Sequence, residues 1–145
     1  MKSYESITIE KATKEECNIV SEILIKYNNL RVPFTQENPF TSMNFVIKNS
    51  LGKIIGGVLG TLYLWNILEI HVISIEEEYR GEGYGALILN TIESKAKSLG
   101  CTLIHLDTFD FQAKDFYEKY GYKVFGVLED CPEDHKRYYM RKKLV

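Results

Sequence analysis

Residues 80–85, Arg80-Gly81-Glu82-Gly83-Tyr84-Gly85, lie between a β-branched apolar stretch and a stretch of helical periodicity, and this placement restricts the fold more than any other feature. Upstream, residues 68–75 are mostly apolar on both faces, as in a central strand covered on two sides. Downstream, over residues 86–99, Ile88, Ile92, Ala96 and Leu99 fall on one stripe. Lys95 and Lys97 fall off it, and Gly100 supplies a C-terminal stop. A strand resumes at residues 102–107, so strand, turn, helix and strand make one crossover unit, expected to be right-handed. The three glycines remove side chains, so backbone N–H groups can approach an anion, and the first helical turn adds unpaired donors and a positive dipole end. Arg80 adds a permanent cation. Such a turn builds a pocket for a pyrophosphate.

Two other phosphate motifs compete for these glycines. Gly81-x-Gly83-x-x-Ala86 fits a dinucleotide-binding fingerprint, with Asp107 about 20 residues on where a ribose-binding acid belongs. That fold places its glycines directly after its first strand and adds several further strand-helix units; here residues 76–80 intervene and little chain follows Asp107. A Walker-type loop ends in Gly-Lys-Ser/Thr, which Gly85-Ala86-Leu87 does not provide. A merely tight turn needs one glycine and no arginine.

From Leu68 onward the chain resembles the GNAT family of N-acetyltransferases, whose signature Gln/Arg-x-x-Gly-x-Gly/Ala is met by Arg80, Gly83 and Gly85. A second match follows in order: Ala113-Lys114-Asp115-Phe116-Tyr117-Glu118-Lys119-Tyr120-Gly121-Tyr122 is similar to the family's later helix, its tyrosine and its exit. The resemblance implies an α/β (α+β mixed) fold with a central, mixed, mostly antiparallel sheet flanked by helices on both faces. It also implies acetyl-CoA as cosubstrate.

At 145 residues the chain has length for a single domain, 1–145, and no second one of normal size. A net charge of −2 gives no general attraction to nucleic acid or acidic membranes. Lys136, Arg137, Arg141, Lys142 and Lys143 read as the solvated face of an edge strand. Cys17, Cys101 and Cys131 are odd in number and lack a Cys-x-x-Cys pair, so neither a disulfide framework nor a metal site is expected. Residues 1–10 lack a signal-peptide core and the apolar run 54–65 is too short to span a bilayer. A cytoplasmic, soluble protein is the expectation.

In the first half, Ile7 and Ile9 alternate as a short strand. A helix then opens at Thr13, with Glu16 completing a capping box, and Val20, Ile23, Leu24 and Tyr27 form its buried stripe. Residues 28–42, with Pro33 and Pro39, read as a loop with at most a short helix, of the kind that can shape a substrate pocket. Residues 43–48 and 53–63 form a hairpin over Asn49-Ser50-Leu51-Gly52. A last helix over residues 112–120 ends at Gly121, before strands at 122–127 and 138–142.

Moving acetyl from a thioester to an amine requires a neutral nitrogen, stabilisation of a carbonyl oxyanion, and a proton for the departing sulfur. In a regular strand Glu69, His71, Ile73 and Ile75 share one face, and either Glu69 or His71 suits as proton acceptor, directly or through water. The resemblance favours Glu69. It implies that the backbone around Ile73, Ser74 and Ile75 contacts the pantetheine arm and the acetyl oxygen, in a slot left by splayed strands. It also implies that Arg80, Gly81, Glu82, Gly83, Tyr84 and Gly85 bind the cofactor. Tyr117 is the corresponding general acid to the CoA thiolate, since a phenol of pKa about 10 stays protonated at neutral pH.

The amine attacks directly in a ternary complex, and Cys101 and Cys131 carry no case as nucleophiles. Phe111-Gln112 stands where many family members carry an Asn that contacts the pantetheine region, a departure from the family pattern; Lys114 is placed to approach a CoA phosphate instead, but reads more simply as an exposed helical lysine. The near-neutral charge favours a small-molecule amine over a protein amine, with acceptor choice in the loops 32–40 and 129–136. A homodimer through the C-terminal strands is a further expectation. The alternative function is a non-catalytic acetyl-CoA-binding sensor or interaction domain.

Overall fold

The computed structural model describes residues 5–144, in two units, Met1–Phe34 and Thr35–Val145. The first holds one helix, α1 (Lys14–Arg31), and its N-terminus is the expected capping box. The Glu16 amide donates to Thr13 Oγ1 at 3.2 Å and the Thr13 amide donates to Glu16 Oε1 at 2.9 Å. Among the described residues this helix is the only regular element of its unit, so Val20, Ile23, Leu24 and Tyr27 face no second element within it. None of them is buried, contrary to expectation. No strand forms at Ile7 and Ile9, because alternation supplies a face but not a pairing partner.

The second unit carries β1 (Phe40–Ser42), β2 (Phe45–Lys48), β3 (Ile54–Tyr63), β4 (Ile67–Ile75), α2 (Tyr84–Ser98), β5 (Leu103–Phe109), α3 (Lys114–Lys119), β6 (Lys123–Glu129) and β7 (Lys136–Lys143). A 3-10 turn, Glu77–Tyr79, joins β4 to the glycine segment. The sheet has seven strands in the order β1-β3-β4-β5-β7-β6, with β2 also paired to β3. All pairs are antiparallel except β4 with β5. That parallel pair is made by the predicted crossover through α2, since parallel neighbours cannot be joined by a tight turn.

The core gathers on the α2 side. Ile88, Leu89, Ile92 and Ala96 meet Val58, Leu62, Leu68 and Ile70 from β3 and β4, with Ile104, Leu106, Tyr122 and Met140 beyond. Gly60 keeps this packing close, because a Cβ there would lie 3.0 Å from Ile92 Cδ1. The strand bearing the terminal basic residues is not an edge: β7 lies between β5 and β6. Two of its cations are paired in the fold, Arg137 with Asp107 and Lys142 with Glu93, each at an N–O distance of 2.8–2.9 Å. Their charge neutralises acids on β5 and α2 and does not guard an edge.

Candidate active site

The β4–β5 ladder has three rungs, Ile67↔Leu103, Leu68↔Ile104 and Glu69↔His105. Both strands then run on without pairing each other, β4 to Ile75 and β5 to Phe109. Backbone groups facing the gap are thereby left for an extended, amide-bearing ligand to pair with. The gap opens a cavity of about 600 Å3, walled by Ile70 to Ile75 of β4, Leu106 to Thr108 of β5, and Phe116 and Tyr117 of α3, with Arg80 and Gly85 at one end. This is the slot expected between splayed strands.

One expectation about β4 fails. Leu59 pairs with Val72 and Gly60 with Ile70, which leaves His71 as an extra residue in the ladder with β3. A bulge of this kind inverts the alternation beyond it. Leu68 and Ile70 are buried in the core before the bulge, and Ile73 packs on the same core after it. Glu69 and His71 therefore do not share a face with Ile73. Their face is the one opposite α2, where His71 Nδ1 lies 3.9 Å from Glu69 Oε1 and His71 Nε2 lies 3.0 Å from Thr61 Oγ1. Both side chains are partly open to water, and His71 also borders the cavity.

At the glycine turn, Gly81 (φ +80°) and Gly83 (φ +86°) adopt the left-handed conformation, and no atom lies within 4 Å of where their Cβ would stand. Glycine serves there for backbone conformation and leaves open space for a ligand. Gly85 differs. It lies inside α2, and its missing Cβ makes room for the Phe116 ring at 3.4 Å. Gly83 is the N-cap of α2 and caps no amide with a side chain, so first-turn donors remain available to an anion. Arg80 is fixed by an Nε hydrogen bond to the Ile75 carbonyl at 2.9 Å, which ties the turn to the end of β4. Tyr84 rests near the Tyr79 ring, with centroids 6.5 Å apart. Glu82 is exposed and suits a diphosphate only through its amide, since its carboxylate repels one.

Tyr117 is 6% exposed and forms part of the cavity wall between Phe116 and Tyr122. Burial, and secondarily the nearby Asp107 carboxylate, push its phenol up to about 12. Gln112 lines the cavity and its Oε1 accepts from the Phe109 amide at 2.8 Å, bracing the β5–α3 connection. Lys114 is ion-paired with Glu118 one turn on, and that hydrogen-bonded partner raises its pKa.

Sequence reasoning missed two arrangements on the Glu69 face. Tyr63 Oη and His105 Nε2 are 2.7 Å apart. Asp107 accepts two hydrogen-bonded contacts from Arg137, Nε to Oδ1 at 2.9 Å and Nη2 to Oδ2 at 2.8 Å. Both depend on strands distant in sequence coming together in one sheet, which alternation alone does not reveal. Among the described residues, no cluster of three or more His, Cys, Asp or Glu is arranged to hold a metal. No helix among them is long and apolar enough to cross a membrane.

A slot between parted parallel strands, ending at a glycine turn that starts a helix, suits an extended ligand with an anionic group at one end. The family model described as Acetyltransferase (GNAT) family matches residues 9–122. The chain belongs to this family, whose general chemistry is acyl transfer from acetyl-CoA. Blasticidin-S acetyltransferase of Streptomyces morookaense is 27% identical over 103 residues, covering 70% of this chain and 75% of that protein. A crystal structure of an acetyltransferase from Bacillus cereus ATCC 14579 is 40% identical, with a TM-score of 0.86, covering 95% of this chain and 98% of that one. The fold is also that of an aminoglycoside 6'-N-acetyltransferase complexed with coenzyme A, at 17% identity and a TM-score of 0.63, covering 96% and 98% of the two chains.

Proposed function

We propose that this chain transfers the acetyl group of acetyl-CoA to a primary amine, by direct attack within a ternary complex. The observation that carries the reading is the continuous cavity from the glycine turn, past the unpaired edge of β4, to His71 and Tyr117. It suits a ligand with a diphosphate at one end and a reactive carbonyl at the other. Acetyl-CoA supplies the activated thioester and a thiolate leaving group. The amides of residues 81–86, with Arg80, hold the diphosphate. The backbone of Ile73, Ser74 and Ile75 orients the pantetheine, and a β4 amide facing the gap stabilises the oxyanion.

Glu69, with His71 beside it, accepts the amine's proton through water. Tyr117 meets the departing sulfur. At a pKa of about 12 it stays protonated, but full transfer to a thiolate with an ordinary pKa of about 8.5 runs uphill. Its role is therefore to donate a hydrogen bond to the developing thiolate, which solvent then protonates. A small-molecule acceptor is favoured by the near-neutral charge and by the likeness to a relative named for blasticidin S. The family match spans both units, which supports reading the chain as one domain. The family's general chemistry also fits a cytoplasmic setting, where acetyl-CoA is at hand.

The test is CoA release with a panel of primary amines, alongside calorimetric titration of acetyl-CoA. Release with at least one amine is expected. Binding without release across the panel would favour a sensor over an enzyme. In the Tyr117→Phe variant, kcat should fall about tenfold to a hundredfold with acetyl-CoA affinity retained; wild-type turnover at saturating substrate would remove Tyr117 from the mechanism.

A further inference from the structure

Along β5 the alternation is unbroken: Ile104, Leu106 and Thr108 are buried, and His105, Asp107 and Phe109 point the other way. Glu69 is level with His105 and shares its face, so an amine served by Glu69 approaches over this side of the sheet. Phe111 stands at the far end of the same side. Its ring stacks on Phe109, with centroids 5.4 Å apart and planes 2° from parallel, and meets the His135 ring edge-on at 5.3 Å. Both supports are themselves held. Arg137 lies over the Phe109 ring at 5.5 Å while paired with Asp107, and His135 Nδ1 is 2.8 Å from Asp110 Oδ1. Asp110 Oδ2 also accepts from the Lys136 amide at 2.9 Å, which fastens the β6–β7 connection to the segment before α3. Bracing of this kind is usual for a buried ring, yet Phe111 is 60% exposed and lines the cavity. An aromatic held on one face and otherwise open offers stacking area with little further loss of freedom.

We propose that Phe111 is a stacking platform for a planar ring of the acceptor, so that the favoured substrates are primary amines carrying an aromatic or heteroaromatic group. The inference rests on the acetyl-transfer reading and narrows its acceptor class. Strand geometry sets the reach. Phe109 lies two residues beyond Asp107 and four beyond His105 on β5. For an amine between the levels of Glu69 and Asp107, at about 3.3 Å per residue, the platform is therefore roughly 7–13 Å from the nitrogen. A chain of several bonds must separate ring and amine, and a nitrogen attached directly to the ring falls short. Asp107 and His71, both bordering the cavity, flank the path between the two ends. The cofactor is held from the start of α2, and the platform lies on the opposite face of β5, beside Phe109, which leaves Phe111 to the acceptor.

The experiment measures kcat/KM of wild type, Phe111→Leu and Phe111→Tyr for a matched pair, phenylbutylamine and cyclohexylbutylamine, which share a spacer and differ in the planarity of the ring. Wild type should favour the phenyl member by about twofold to tenfold, the range of an aromatic stacking contact. That ratio should fall close to unity in Phe111→Leu and persist in Phe111→Tyr. Each ratio is taken within one variant, so a general loss of activity cancels. Where neither amine of the pair is acetylated, the same ratio is read from their inhibition constants against whichever amine of the panel is turned over. A wild-type ratio near unity, or one that survives in Phe111→Leu, would overturn the platform. An effect of Phe111→Leu confined to calorimetric acetyl-CoA affinity would assign the ring to the cofactor and overturn it as well. If Phe111→Leu does not fold, Phe111→Met decides by the same ratio. A wild type that releases no CoA with any amine overturns the acetyl-transfer reading and the platform with it, whereas turnover without a ring preference overturns the platform alone.

Discussion

Tyr117 shows how burial sets chemistry at a single residue. A phenol enclosed by Phe116, Tyr122 and the cavity wall loses solvation for its anion, and the Asp107 carboxylate disfavours that anion further. Burial thus pushes the Tyr117 phenol up to about 12 in the folded protein, while the unfolded chain releases the proton near the ordinary phenol value of 10.0. Below that value both states keep the proton and the contribution is fully present. Through the window above it, stability falls as pH rises. Tyr122, pushed up by burial and by its bond to Glu93, acts in the same direction. Alkaline unfolding followed by circular dichroism should show this decline, and Tyr117→Phe should make it shallower. A variant that declines as steeply as wild type would contradict the assigned proton affinity.

At the scale of elements, the turn before α2 was the most legible part of the sequence. Its glycines report a local backbone requirement, and Gly81 and Gly83 do carry positive φ. Gly83→Ala should destabilise the fold by about 1–3 kcal/mol through backbone strain, since nothing crowds the added methyl. It should also weaken acetyl-CoA binding in calorimetry; unchanged affinity would place the diphosphate elsewhere. The β4 bulge was not legible. Residues 69–75 read as one alternating strand, and only pairing with β3 shows that His71 is surplus and that Ile73 turns to the core. For the same reason the Tyr63–His105 contact, which spans three strands, left no local trace. β7 was misread as an edge because charge composition records solvation but not strand order.

For the whole molecule, the strand and helix order from β2 onward followed from periodicity and turn residues, because each such element carries its own signal. The short β1 did not, since three residues hold too little pattern. The Ile7 and Ile9 segment and the stripe of α1 were expected to be structured or buried by partners that lie outside what local sequence specifies. Ligand linkage gives a prediction at this scale. Acetyl-CoA at a hundredfold excess over its Kd should stabilise the native state by about 2.7 kcal/mol, seen as a rise in Tm by scanning calorimetry. No rise would mean that the slot does not bind the ligand.

The most direct measurement is a crystal structure of this chain with acetyl-CoA. The account predicts the diphosphate on the amides of residues 81–86, the pantetheine between the unpaired parts of β4 and β5, and the thioester beside Tyr117. A diphosphate bound away from the start of α2, or a slot left empty by a ligand seated on another surface, would contradict it.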